Sequence, residues 1–275
     1  MARNHPKRPG HRSPGPGPGR PEGRPEPARF HRPEREAEGG PVWLWGTHAV
    51  MAALANPERR FHQLLVTENA AQRLPRTAVQ PQVVTGKELD QRLPPGAVHQ
   101  GIAVKADPLE PIALEDLIAS GISRVAVLDQ VSDPHNLGAI FRSAAAFGFT
   151  GLVLQSRNAP PITGVVAKSA AGAVETVAEV RTVNISRALE QLGEAGFHTV
   201  GLAGESTRPL DLAVKGAAKI AIVLGAEGPG LRPGVAKACA ELARIPISAQ
   251  MESLNVSNAA AIAFYEAARG GFPAA

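Results

Sequence analysis

The sequence predicts an α/β protein in three parts: a C-terminal parallel sheet covered by helices on both faces, a smaller α/β unit before it, and a basic arm at the front with no core. Three observations carry this. From Ser123 onward short apolar runs alternate with Ala-rich helical patterns, residues 41–107 hold a shorter mixed pattern, and the first forty residues are crowded with Pro, Gly and Arg.

In the arm, nine Lys and Arg stand against five Glu, a difference that equals the +4 net charge of all 275 residues. A run such as Pro14-Gly15-Pro16-Gly17-Pro18-Gly19-Arg20 has nothing to bury, so residues 1–40 are expected to be disordered and to attract phosphates without sequence preference.

Ordered sequence begins near Pro41. Val42-Trp43-Leu44-Trp45 is an apolar entry and Thr47 to Leu54 a short amphipathic helix; Phe61 to Thr67 is a strand, Val83-Val84 lies in a Pro-bounded segment, Lys87 to Arg92 is helical, and His99 to Val104 closes the unit. Pro108, Pro111 and a short helix from Leu114 to Ala119 make residues 108–122 a linker. In the last part, residues 123–275, the runs Val125–Leu128, Gly151–Leu154, Thr199–Leu202 and Ile220–Leu224 are apolar throughout, as strands buried on both faces are. Helices are expected at Asn136 to Phe147, Val165 to Ala173, Ser186 to Ala195 and Val256 to Arg269.

Composition narrows the class. The 44% hydrophobic and 4% aromatic content suits a globular chain, no apolar stretch reaches the roughly 18 residues of a membrane span, and no signal-peptide pattern follows the N-terminal charges, so a cytoplasmic location is expected. Cys239 is the lone cysteine; it excludes an intrachain disulfide, lacks zinc-ligand neighbours and is expected to be a small buried hydrophobe. No metal is expected.

Ligands of an open parallel sheet bind beyond the carboxyl ends of its strands, which directs attention to three segments. After Leu128, Asp133 can cap a helix that starts at Pro134; Arg142 lies one turn past Gly138, whose missing side chain leaves room for a backbone or a ligand, while Asn136 lies on another face. After Leu224, Gly225-Ala226-Glu227-Gly228-Pro229-Gly230 permits close backbone approach but lacks the dinucleotide G-x-G-x-x-G spacing. The third segment runs from Ile245-Pro246 through Ser253-Leu254-Asn255 into the last helix. Free N–H groups there are expected to favour an anionic or electron-rich group, with simple capping by Ser253 or Asn255 as the plainer reading.

Together, Asn136-x-Gly138-x-x-x-Arg142, Leu224 to Leu231, and Ile245-Pro246 through Ser257 resemble the three ordered motifs of the SPOUT-class (SpoU/TrmH) RNA ribose 2′-O-methyltransferases. The resemblance spans roughly residues 123–270, and residues 42–105, with His99-Gln100-Gly101-Ile102, look like the ribosomal-protein-L30-like substrate-binding domain of a branch that acts on large-subunit rRNA. It implies a domain tied in a deep trefoil knot, a homodimer whose subunits share each site, and S-adenosylmethionine as cofactor. By position, Leu202, Gly204, Gly225, Ile245 and Leu254 are expected to contact the cofactor, and Asn136, Arg142, Glu227, Ser253 and Asn255 match the polar catalytic residues. Ala249 stands where such proteins commonly carry glycine, and would strain the loop if a positive φ is needed there.

A guanidinium hardly gives up its proton, so Arg142 is expected to act on a phosphate or the developing alkoxide. Glu227 is left as either proton acceptor or scaffold. The substrate the resemblance implies is the ribose 2′-hydroxyl of a guanosine of 23S rRNA in the peptidyl-transferase region. Alternatives are a tRNA ribose methyltransferase, a non-catalytic RNA-binding assembly factor on the same fold, and an enzyme using another nucleotide cofactor, which the absent dinucleotide spacing disfavours.

Overall fold

In the computed structural model residues 1–2, 39–157 and 159–269 are described; the expected disorder of residues 1–40 falls almost wholly outside them. Two sheets organise the chain, and both lie in one compact unit. The smaller has the order β1-β4-β2-β3, built from β1 (Val42–Trp45), β2 (Phe61–Val66), β3 (Pro81–Val83) and β4 (Ile102–Ala106). Its β4 runs antiparallel to both β1 and β2, while β2 and β3 are parallel. Helices α1 (Thr47–Ala55), α2 (Glu68–Ala71) and α3 (Gly86–Arg92) connect these strands.

The larger sheet is six-stranded and parallel throughout, in the order β10-β8-β9-β5-β6-β7. Its strands are β5 (Arg124–Leu128), β6 (Gly151–Gln155), β7 (Ala178–Thr182), β8 (His198–Leu202), β9 (Ile220–Leu224) and β10 (Glu241–Ala243). The helices before, between and after them are α4 (Leu114–Ala119), α5 (Pro134–Ala146), α6 (Gly164–Ala170), α7 (Ile185–Glu194), α8 (Leu210–Ala213), α9 (Pro233–Ala238) and α10 (Val256–Ala268).

Successive strand side chains point to opposite faces, and the apolar runs divide accordingly. Ala126, Leu128, Leu152, Leu154, Ile222 and Leu224 join a core with α5 and α10, whereas Val125, Val127, Val153, Ala221 and Val223 join another with α4 and α7. The first core continues without a break into Leu44, Val50, Leu64 and Val104 around the small sheet. Within segment 108–122, Leu114 and Leu117 are buried in the second core, and Ile112 N donates to Glu179 O at 2.9 Å.

Four expected strands and four expected helices of the large sheet are present within a few residues. β7 was not expected: its sequence, Ala-Glu-Val-Arg-Thr, alternates polar and apolar residues as an edge strand does, and its Arg181 guanidinium pairs with Glu179. β10 ends at Ala243, so Ile245 lies in the loop beyond it.

The strand order reverses direction between β5 and β9. From β5 the chain steps outward to β6 and β7, then crosses to β8 on the other side and returns to β9. Asp129, fully buried at the end of β5, marks this junction. Its backbone N–H donates to Leu224 O at 2.8 Å, and its carboxylate accepts from Arg232 N at 2.9 Å and Arg232 Nε at 2.8 Å. Crevices at such reversals are where open α/β sheets hold their ligands.

Candidate active site

Three loops meet at this reversal. The first leads into α5: Asp133 caps the helix by accepting from His135 N at 2.7 Å and Asn136 N at 2.9 Å, with Pro134 in the first turn. That start fixes Asn136, half-buried, at the mouth of the crevice.

The second is the glycine loop after β9. It closes on itself, with Ala226 and Gly230 exchanging both backbone hydrogen bonds at 3.1 and 3.0 Å. A Cβ on Gly225 would come within 2.2 Å of Gly230 C, so glycine there is required by the loop's own return path. Gly228 and Gly230 have φ of 85° and 70°, which glycine adopts at no steric cost. The turn presents Glu227 exposed at its tip.

The third leads into α10. Asn255 Oδ1 caps the helix, accepting from Ser257 N at 3.0 Å and Ser257 Oγ at 2.6 Å, while Val256 N donates to Glu227 Oε1 at 3.3 Å. The helix-start N–H groups expected to await an anionic ligand are therefore answered within the protein. Ala249 causes no strain, because the non-glycine residues with positive φ among those described are Gln100, Gln130 and Ala171.

Asn136, Glu227 and Asn255 join in one hydrogen-bonded cluster. Glu227 Oε1 accepts from Asn136 Nδ2 at 3.0 Å and from Asn255 Nδ2 at 2.6 Å, and Asn255 Nδ2 also donates to Asn136 Oδ1 at 3.0 Å. One carboxylate oxygen is thus committed to three N–H donors, whereas Oε2 takes no part in these bonds. Ser253 and Arg142 lie outside the cluster, both exposed. The space left by Gly138 is filled by protein: an added Cβ would meet Ser169 Cβ at 2.5 Å and Val166 O at 2.6 Å, so it is the α6 backbone that approaches α5 there, and no ligand.

Beside the cluster lies a cavity of ≈ 390 Å³. Leu202, Gly204, Gly225, Ile245 and Leu254 all line it, together with Glu227 and Ser253; Asn136, Arg142 and Asn255 do not. Glu205 and Glu252 add carboxylates that sequence reasoning assigned no role, against one cation, Arg244. The wall therefore combines apolar side chains with an acidic rim. Among the described residues no group of His, Cys, Asp and Glu could hold a metal ion, and no helix is long and apolar enough to cross a membrane.

Asp129 was also missed as a part of the site's frame. Its pairing with Arg232, including Nη2 to Oδ1 at 2.6 Å, fastens the end of the glycine loop beneath the cavity. The only local signal was an acid directly after a buried run.

Comparison with known proteins identifies the family. Residues 43–112 match the family described as RNA 2′-O ribose methyltransferase substrate binding. The chain is 37% identical over 239 residues to a Vibrio vulnificus protein named 23S rRNA (guanosine-2′-O-)-methyltransferase RlmB, which covers 82% of this chain and 96% of that one. The Escherichia coli K12 protein of the same name is 35% identical over 238 residues, covering 82% of this chain and 97% of its own length. Among solved structures, an AdoMet-bound rRNA methyltransferase from Sinorhizobium meliloti shares the fold, with a TM-score of 0.70 and 23% identity over 85% of this chain and 88% of that one. With residues 123–265 matching the SpoU rRNA Methylase family, which covers more than half of its length, the chain belongs to that family.

Proposed function

We propose that the protein transfers a methyl group from S-adenosylmethionine to the ribose 2′-hydroxyl of a guanosine in 23S rRNA, in the peptidyl-transferase region. The observation that carries this reading is that one chain holds both the substrate-binding and the methylase regions along nearly the whole length of its guanosine-2′-O-methyltransferase relatives.

The cavity suits adenosylmethionine. Its ≈ 390 Å³ falls within the roughly 300–1,000 Å³ of small-molecule sites, and its three carboxylates, Glu205, Glu227 and Glu252, suit a ligand with a sulfonium and an ammonium group. Leu202, Ile245 and Leu254 would pack against the cofactor, with Gly204 and Gly225 giving its polar edges access to loop backbone. When bound, S-adenosylmethionine supplies a methyl group on a positively charged sulfur.

The chain's own residues do the rest. Asn136 and Asn255 hold Glu227 in place through Oε1, which leaves Oε2 as the acceptor for the hydroxyl proton of the ribose. Arg142 keeps its own proton and stabilises the charge developing on the ribose oxygen or that of a neighbouring phosphate. Ser253, exposed at the cavity rim, donates to the ribose or a flanking phosphate. Positioning supplies most of the rate in such a transfer.

In this reading residues 41–107 are an L30-like RNA-binding domain, residues 108–122 connect it, and residues 123–275 are the methyltransferase domain, knotted as a trefoil. Support for the knot comes from the chain path: after β9 it reaches β10 at the sheet edge, then returns through the third loop so that α10 packs on α5 and β9. The protein works in the cytoplasm as a homodimer. Exposed Ile262 and Tyr265 on α10 are consistent with a covering partner. Residues 1–40 add salt-sensitive attraction to RNA, so deleting them lowers RNA affinity and flattens its salt dependence.

The test is methyl transfer from labelled adenosylmethionine to 23S rRNA and to bulk tRNA from cells lacking the protein, followed by mapping of 2′-O-methyl sites. One labelled guanosine in 23S rRNA is the expected result. Label in tRNA alone would overturn the substrate, and no label in either would overturn the activity.

A further inference from the structure

Residues 164–175, in α6 and the turn after it, pack against β1 and α1 of the small sheet's unit. Gly164 opens α6 directly against β1, where an added Cβ would come within 1.9 Å of the Trp45 ring and 2.1 Å of Trp43 O. One turn later Lys168 lies across Gly46, so close that a Cβ there would meet its Nζ at 2.2 Å. The ammonium donates to Gln100 Oε1 at 2.9 Å, and the same oxygen accepts from Thr47 N at 3.0 Å. On its other side α6 packs against Gly138, two residues beyond Asn136.

Gln100 thus stands at one end of a chain of direct contacts that leads through Lys168, α6 and α5 to the catalytic cluster. It holds this place at φ 56°, in the left-handed region. A non-glycine residue is strained in that region, and glycine would avoid the strain. For backbone conformation alone glycine would serve better, so what the side chain contributes is its pair of bonds across the seam.

We propose that Gln100 is a positioning residue for the RNA substrate. By binding Lys168 and the start of α1 through one oxygen, it sets the small sheet against α6 and hence sets where RNA held by the small sheet meets Asn136, Glu227 and Asn255. This rests on the methyl-transfer reading above. RNA that touches the small sheet and the cluster together gains from a fixed spacing between them, so loosening the seam weakens productive RNA binding and leaves the chemical step intact.

The experiment uses the full chain and a 23S rRNA fragment, with RNA affinity measured in parallel without cofactor. Gln100→Gly should keep or raise Tm and keep adenosylmethionine affinity, while KM for RNA rises about tenfold, the equivalent of about 1.4 kcal/mol, and kcat stays within about twofold of the original. RNA affinity should fall in step with KM. Gln100→Glu, which retains an acceptor for both donors, should restore KM. Lys168→Met should reproduce the rise, and the double variant Gln100→Gly, Lys168→Met should be no worse than the weaker single variant. An unchanged KM and RNA affinity in Gln100→Gly overturns the proposal, as do effects of the two substitutions that simply multiply. Wild-type protein that binds RNA but transfers no methyl group would instead overturn the functional reading, and the RNA affinities of the same variants would still decide the role of Gln100.

Discussion

The amide of Asn255 caps α10 through Oδ1 and ties Asn136 to Glu227 through Nδ2, so one side chain starts a helix and completes a polar cluster. Of the two readings set out for this helix start in the sequence, capping by Asn255 is the one the structure holds. Arg142 is different: it stands exposed on α5, outside the cluster. Arg142→Ala should lower methyl transfer by about a hundredfold or more, as the loss of a preorganised donor to a developing oxyanion does, with adenosylmethionine affinity unchanged by calorimetry. Turnover near the wild-type rate would remove Arg142 from the mechanism. Cys239 makes a second prediction at this scale. Burial, and then the negative charge of Asp129, push its thiol up to about 12, and the thiolate is the reactive form. Native protein at pH 8 should therefore resist alkylation by iodoacetamide, and mass spectrometry showing modification as fast as in urea would contradict this.

At the scale of elements, the strands buried on both faces were legible because each is a continuous apolar run, and the helix starts because Asp133 and Asn255 announce them. Where the chain folds back on itself, legibility stopped. Gly138 was expected to leave room for a backbone or a ligand, and Gly225 to let the backbone approach a ligand; the neighbours they accommodate are the α6 backbone and the return of the glycine loop. No sequence pattern tells a glycine that admits a ligand from one that admits backbone. Gly225→Ala should lower Tm by several degrees and abolish cofactor binding, because its Cβ would overlap Gly230 backbone. Gly204→Ala is the contrast. It lines the same cavity with nothing within 4 Å of an added Cβ, so Tm should hold while adenosylmethionine affinity falls. Unaltered affinity in that variant would take Gly204 out of the cofactor site.

Across the whole molecule, the two sheets are fastened by a buried ion pair that sequence reading did not anticipate. Arg59 and Glu175, with side chains 2% and 3% exposed, meet at 2.9 Å; Asn56 Nδ2 donates to the same carboxylate at 2.8 Å and Arg59 Nη1 donates to Asp107 O at 2.7 Å. The partners are more than a hundred residues apart, beyond the range of any local pattern. Removing one partner strands a buried charge, so Glu175→Ala should cost about 3–5 kcal/mol of stability, measured by urea unfolding. A loss under about 1 kcal/mol, the range of exposed pairs, would mean that water reaches this seam.

Asp129 and its partner Arg232 are likewise separated, by 103 residues. At about 5–20 residues per second, synthesis puts on the order of ten seconds between them. For most of that interval β6 and β7 are being added to β5 while no β9 pairs along its open edge, and no guanidinium answers the acid at its end. The middle of the sheet is therefore among the last parts to close, and the nascent protein remains a half-sheet with an unpaired edge until the glycine loop has been made.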